Sequence, residues 1–248
     1  MLGPAFALFL LAGPQATDIQ ISETARGYVY VTSQAVVQFD RGSMSAAGRL
    51  EFVRLVDRGI SDVSEFVNIV PSGKLSFSVR HRTRMSRAYG SRISLPYRRG
   101  ESRPAPYLHE TVHALLGRFN SSPATWLSEG FASYVESYIA ENFSGYNAGV
   151  FLRGGNLAVD AAALEHLKTS FGQAAFRAIG TRSVPESLDR DRESVAPPFY
   201  VLSQSFVKYL VDNAGLRAVV QLHRTSATVL GGRVLSDWKR HWRASLDR

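Results

Sequence analysis

Two histidines four residues apart, with a glutamate directly after the first, stand in the stretch PYLHETVHALLG: His109, Glu110 and His113. On an α-helix, residues i and i+4 share one face a turn apart, so both imidazoles can aim at one point. A tetrahedral zinc accepts such a pair at about 2.0–2.1 Å. Glu110 lies about 100° further round the helix. It is off the line of the ligands but placed to hold a water beside the metal as a general base. Two imidazoles still leave a catalytic zinc one protein ligand short. The stretch TWLSEGFASYVESY offers Glu129, at the start of a second helix with an apolar stripe, and the turn-forming RFNSSPA before it lets the two helices fold back on one another. The helix dipole alone would favour a glutamate there, so the histidine pair is what makes Glu129 a candidate ligand. Glu136, two turns on from Glu129, shares its face and could orient a histidine from behind. The chain has no cysteine, which excludes disulfides, thiol catalysis and thiolate ligands, leaving nitrogen and oxygen to hold a metal.

HETVH followed by WLSEGFASYVE resembles the gluzincin metallopeptidases, and in particular the aminopeptidase N-like family, whose second motif reads Trp-Leu-Asn-Glu-Gly-Phe-Ala. Trp126, Leu127, Glu129, Gly130, Phe131 and Ala132 carry the match. The resemblance implies that His109, His113 and Glu129 bind Zn2+ and that Glu110 activates the water. It extends to PPFYVLSQSFVKYLVDNAG, where Tyr200, Tyr209-Leu210 and Gly215 are similar to the family's oxyanion tyrosine and the helix behind it. A phenol donating to a developing negative charge is the kind of fixed dipole an amide-hydrolysis transition state needs; a core or helix-start tyrosine is the plainer alternative. Ser128 stands where the family has asparagine, the loop between the zinc segments is short, and the Gly-x-Met-Glu-Asn segment that captures a free amino terminus is absent. The resemblance therefore implies a compact peptidase MA-like zinc metallopeptidase acting on a peptide or protein substrate, and not a typical aminopeptidase. Two readings from other classes stay open: a zinc-binding hydrolase-like domain of other or no activity, and a basic module that binds polyanions.

The elements that must position these residues follow from hydrophobic periodicity. Gly27 to Asp40 alternates as one or two strands, and Ser45 to Val70 repeats at helical spacing as one helix or two, broken near Gly59. From Leu75 to Met85 the chain alternates again, placing Arg80, Arg82 and Arg84 on the wet side and His81 on the inward side. That arginine ladder is either a solvated face or an anionic-surface contact. Gly90 to Tyr97 forms a further strand, with Arg92 to Tyr97 as the edge that pairs with substrate. The spacing predicts helices over Ser128–Ala140, Val159–Phe171, Tyr200–Asn213, Leu216–Ala227 and Leu235–Ala244, with loops near Gly154 and from Thr181 to Pro198. His166, His223 and His241 have no partner at metal spacing and read as structural or surface residues. The predicted fold is α+β and zincin-like. A strand-and-helix lobe with a mixed sheet (residues 17–103) precedes the active-site helix and a mainly helical lobe (104–248).

A chain of 248 residues with 45% hydrophobic and 20% charged residues is ample for one buried core. Net charge is +8, and all but four of its 29 basic residues (Lys74, Lys168, Lys208, Lys239) are arginine. The apolar run Ala5 to Ala12 is too short for the roughly 20 residues that span a bilayer. It has the length of a secretory h-region, with Ala16 as the last residue of a candidate signal peptide (1–16), so export to the periplasm or exterior is expected, the alternative being a buried strand of a cytoplasmic protein. No transmembrane helix is predicted. Nucleic acid is a disfavoured partner because aromatic residues do not interleave with the basic run.

Overall fold

A computed structural model describes residues 18–81, 85–97, 106–117, 119, 123–146, 154–182 and 192–247. The candidate signal peptide, Arg82, Arg84 and Pro104 lie outside the described residues.

Every strand of the main sheet comes from the first part of the chain. β1 (Gln20–Thr24), β2 (Gly27–Val31) and β3 (Ala35–Asp40) form an antiparallel meander. Helix α1 (Ala46–Val67) then crosses over to β4 (Leu75–Arg80), which pairs parallel with β3, as a parallel pair requires. β5 (Arg87–Tyr89) and β6 (Arg92–Pro96) complete a mixed sheet in the order β1-β2-β3-β4-β6-β5. The alternation predicted from sequence is present: Val37, Phe39, Phe77, Val79, Ile93 and Leu95 are buried, while Gln38, Ser78 and Ser94 face away. Helices follow: α2 (Tyr107–Gly117), α3 (Thr125–Asn142), α4 (Gly155–Leu167), α5 (Ser170–Ala178), α6 (Arg192–Ala214), α7 (Leu216–Thr225) and α8 (Leu235–Ser245). A short hairpin, β7 (Val229–Leu230) with β8 (Arg233–Val234), precedes the last of them. The fold class is therefore mixed α+β. No helix of the described residues is long and apolar enough to cross a membrane.

Several expectations are corrected, and one open choice is resolved: α1 runs as a single helix, unbroken through Gly59. It starts on Ser45, whose hydroxyl accepts from the Gly48 amide, and ends on Asn68 in the left-handed conformation. Gly59 is a site of close approach, because a Cβ there would lie 2.8 Å from Leu108 Cδ2 and 3.0 Å from the Tyr107 ring. The strand carrying the arginines ends at Arg80. His81 consequently lies in an exposed turn, its Nδ1 3.1 Å from the Tyr97 carbonyl oxygen, and not on the inward face. The sheet edge is β5, since β6 is flanked by β4 and β5. Val159–Phe171 is in fact two helices. The first begins four residues earlier, with Gly154 as its cap, and Thr169 caps the second. α6 begins at Arg192, inside the predicted loop, and tolerates Pro197 and Pro198 ahead of Tyr200.

Candidate metal centre

The histidine helix α2 lies against α1 on one side and meets α3 on the other. Its Tyr107 and Leu108 press into the gap left by Gly59. Leu108, Val112, Leu115 and Leu116 are buried, and burial extends to His109 and Glu110, at 3% and 5% exposure. Polar groups that deep must be satisfied by one another or by a ligand.

The three proposed ligands converge. Nε2 of His109 stands 3.0 Å from Nε2 of His113 and 3.1 Å from Oε2 of Glu129, and His113 Nε2 is 3.4 Å from the same oxygen. Ligands held tetrahedrally at about 2.0–2.1 Å from an ion are separated from each other by about 3.3–3.4 Å. The triangle, with sides of 3.0, 3.1 and 3.4 Å, is slightly tighter than that, and its donor set of two imidazole nitrogens and a carboxylate oxygen is one zinc accepts. The residues therefore fit the ion. Glu129 sits in the second turn of α3, because that helix starts at Thr125 and not near residue 128. The dipole-favoured first turn is thus not where it stands.

Behind the triangle, Ser128 Oγ is 3.1 Å from Nδ1 of His113. A histidine that binds metal through Nε2 carries its proton on Nδ1, and Ser128 can accept it there, fixing tautomer and ring angle. Ser128 was legible from sequence only as a departure from asparagine. Glu136, with 5% exposure, places Oε2 3.9 Å from Nδ1 of His109, an electrostatic neighbour beyond hydrogen-bond length. Burial pushes the Glu136 carboxyl up to about 7, against the pull of His109 and with the help of Glu110.

Without metal, the cradle is a charge cluster. Burial acts to lower the His109 pKa, but the hydrogen bond it donates to Glu129 and the charges of Glu129, Glu136 and Glu110 together raise it to about 9. Burial likewise works against ionisation of Glu129, yet its bonds to His109 and His113 hold it well below the usual carboxylate range. His223 on α7, read from sequence as structural, is buried beside the ring of Phe131. Burial, and then the charge of His113, drives it down to about 4, so it stays neutral near the site. His166 is half-buried, and His241 is exposed beside Arg233.

Tyr200 reaches the site because α6 packs tightly on α3. Gly130 makes this contact, since a Cβ on it would lie 2.5 Å from the Ser203 carbonyl oxygen. Gln204 Nε2 donates to Ser137 Oγ at 3.0 Å and to Asn156 Oδ1 at 2.9 Å, and Asn156 donates to the Tyr134 carbonyl at 3.0 Å. These bonds fix the register of α3, α4 and α6. Tyr200, one turn before Ser203, is half-buried with its ring centroid 6.3 Å from that of His109. All six residues singled out from the sequence thus lie on α2, α3 or the segment of α6 packed against them.

No protein-family model matches the chain, and no curated protein matches it either.

Proposed function

We propose that the protein is a zinc-dependent metallopeptidase of gluzincin type, hydrolysing peptide bonds of a peptide or protein substrate. The observation that carries this reading is the convergence of His109, His113 and Glu129 within 3.0–3.4 Å of one another, with a buried glutamate on the adjoining flank of the same helix. A zinc ion held there would polarise the scissile carbonyl and acidify a water toward neutrality. Glu110 takes the proton of the attacking water and passes it to the leaving nitrogen, a role that needs a carboxylate free of the ligand set. Tyr200 donates its phenol proton in a hydrogen bond to the oxyanion. Ser128 holds the His113 ring, and Glu136 supports His109 electrostatically.

The mixed sheet also supports a zincin-like arrangement. Its antiparallel edge strand β5 lies on the α2 side, and strand addition to that edge would present an extended peptide. Incubation of wild-type protein and Glu110→Gln with a mixed peptide library tests the reading. Cleavage is expected with wild type, and at least about a hundredfold less with the variant at equal zinc content. Undiminished cleavage by Glu110→Gln would refute the assignment.

A further inference from the structure

Beyond the bond cleaved, the sheet bears on which substrates are taken. Resting on the peptidase reading, we infer that the β5 edge selects extended segments carrying acidic side chains at alternate positions.

β5 pairs with β6, and among the described strands nothing pairs with its other edge. Ala88 packs against the core, so Arg87 and Tyr89 lie on the opposite face, and both are exposed, Tyr89 at 88%. The register extends this face inward: Arg87 opposes Ser94, and Tyr89 opposes Arg92. On the next strand Arg92 opposes Ser76, Ser94 opposes Ser78, and Pro96 opposes Arg80. Arg80 donates to Ser78 Oγ at 2.7 Å. Among the described residues, no carboxylate lies within ion-pair distance of Arg80, Arg87 or Arg92. Of the carboxylates in the described strands, Asp40 shares this face on β3, next to Arg80 in the register but outside ion-pair distance of it and two strands removed from β5, and Glu23 is paired with Arg41 at 3.2 Å. Among the described residues, the margin of the sheet is therefore positive and carries no ion pair.

Two features point to a peptide as the occupant. An unpaired strand edge offers alternating N–H and C=O groups, which match a polypeptide backbone and neither a sugar-phosphate chain nor a lipid surface. The edge also packs against α2, the helix that carries the candidate centre. Gly90 and Ser91, in the turn after β5, line a cavity of about 240 Å³ together with Ala114 and Leu115 of α2. Ala114 follows Glu110 by one helical turn on the same stripe. A peptide paired with β5 would set every second side chain over the arginine face. A carboxylate directly opposite Arg87 would be favoured there, and a lysine opposed.

The test uses full-length Glu110→Gln protein and fluorescence anisotropy with labelled peptides of alternating Glu-Thr or Lys-Thr sequence. The Glu peptide is expected to bind at least about tenfold tighter than the Lys peptide. Arg87→Glu/Arg92→Glu, whose folding is checked by its melting temperature, should reverse that order. N-methylation of alternate amides in the Glu peptide should abolish binding. Equal affinities, or an order unchanged in the charge-reversed variant, would overturn the inference. So would a single-stranded oligonucleotide or anionic phospholipid vesicles binding as tightly as the Glu peptide with the same dependence on Arg87 and Arg92. Wild-type cleavage of the two peptides separates the inference from the reading beneath it. Charge preference without cleavage overturns the peptidase and leaves the acid-selective edge, whereas cleavage without charge preference does the reverse.

Discussion

The cradle between α2, α3 and α6 and the open face of the sheet are both made of ionisable side chains, and they treat charge in opposite ways. In the cradle His109, Glu110 and Glu136 are almost wholly buried, and each charged group faces another. On the sheet, Arg80, Arg87 and Arg92 stand in solvent without a carboxylate partner among the described residues. Burial makes the difference. Charges withdrawn from water must be compensated within the fold, so their arrangement is fixed and specific, whereas exposed charges are compensated by water and remain available to a partner. The cradle should therefore respond strongly to any change in its groups, and the open face should respond only when something is bound.

The largest separation between the two regions is expected with pH. Zinc must displace the proton that His109 holds up to about pH 9, so affinity should rise about tenfold per pH unit from about 6.5 to 9, read with a competing chelator. Metal-free stability runs the other way. His109 has its pKa raised above the ordinary 6.5, so the stabilisation it contributes is complete below that value and is lost as pH rises through about 9. Melting temperature of chelated protein should fall across that window, and a flat profile would mean His109 does not hold its proton.

Gly130→Ala comes next. A methyl group 2.5 Å from the Ser203 carbonyl oxygen must push α6 off α3, costing about 1–3 kcal/mol by denaturant titration and moving Tyr200 away from the histidines. Ser128→Ala is smaller, with about a tenfold weakening of zinc and little change in melting temperature. Arg87→Glu should change unfolding free energy by less than about 0.5 kcal/mol, which would confirm that the open face does not hold the fold together.

The cradle was more legible in the sequence than the fold around it. His109 and His113 are read from helical spacing, which depends only on local backbone geometry, Glu129 from the third ligand they lack, and their convergence follows once both helices bury their apolar stripes. The edge strand was misplaced because β5 is three residues long and carries too little alternation to register as a strand; only its pairing with β6 reveals it. Gly59 left one helix or two open because glycine weakens an isolated helix, and the tertiary contact with Tyr107 and Leu108 is what needs it. Ser128 registered only as a departure from a motif asparagine, and His223 gave no motif signal. Their placement beside His113 depends on how α2, α3 and α7 pack, which residue spacing along one segment does not encode.

The central claim is tested most directly by zinc content and affinity of purified wild type, Glu129→Ala, His113→Ala and Glu110→Gln, compared at one pH. A single tightly held equivalent in wild type and Glu110→Gln, lost in the other two, is the expected result. Zinc bound by Glu129→Ala as tightly as by wild type, or no zinc bound by wild type, would contradict it.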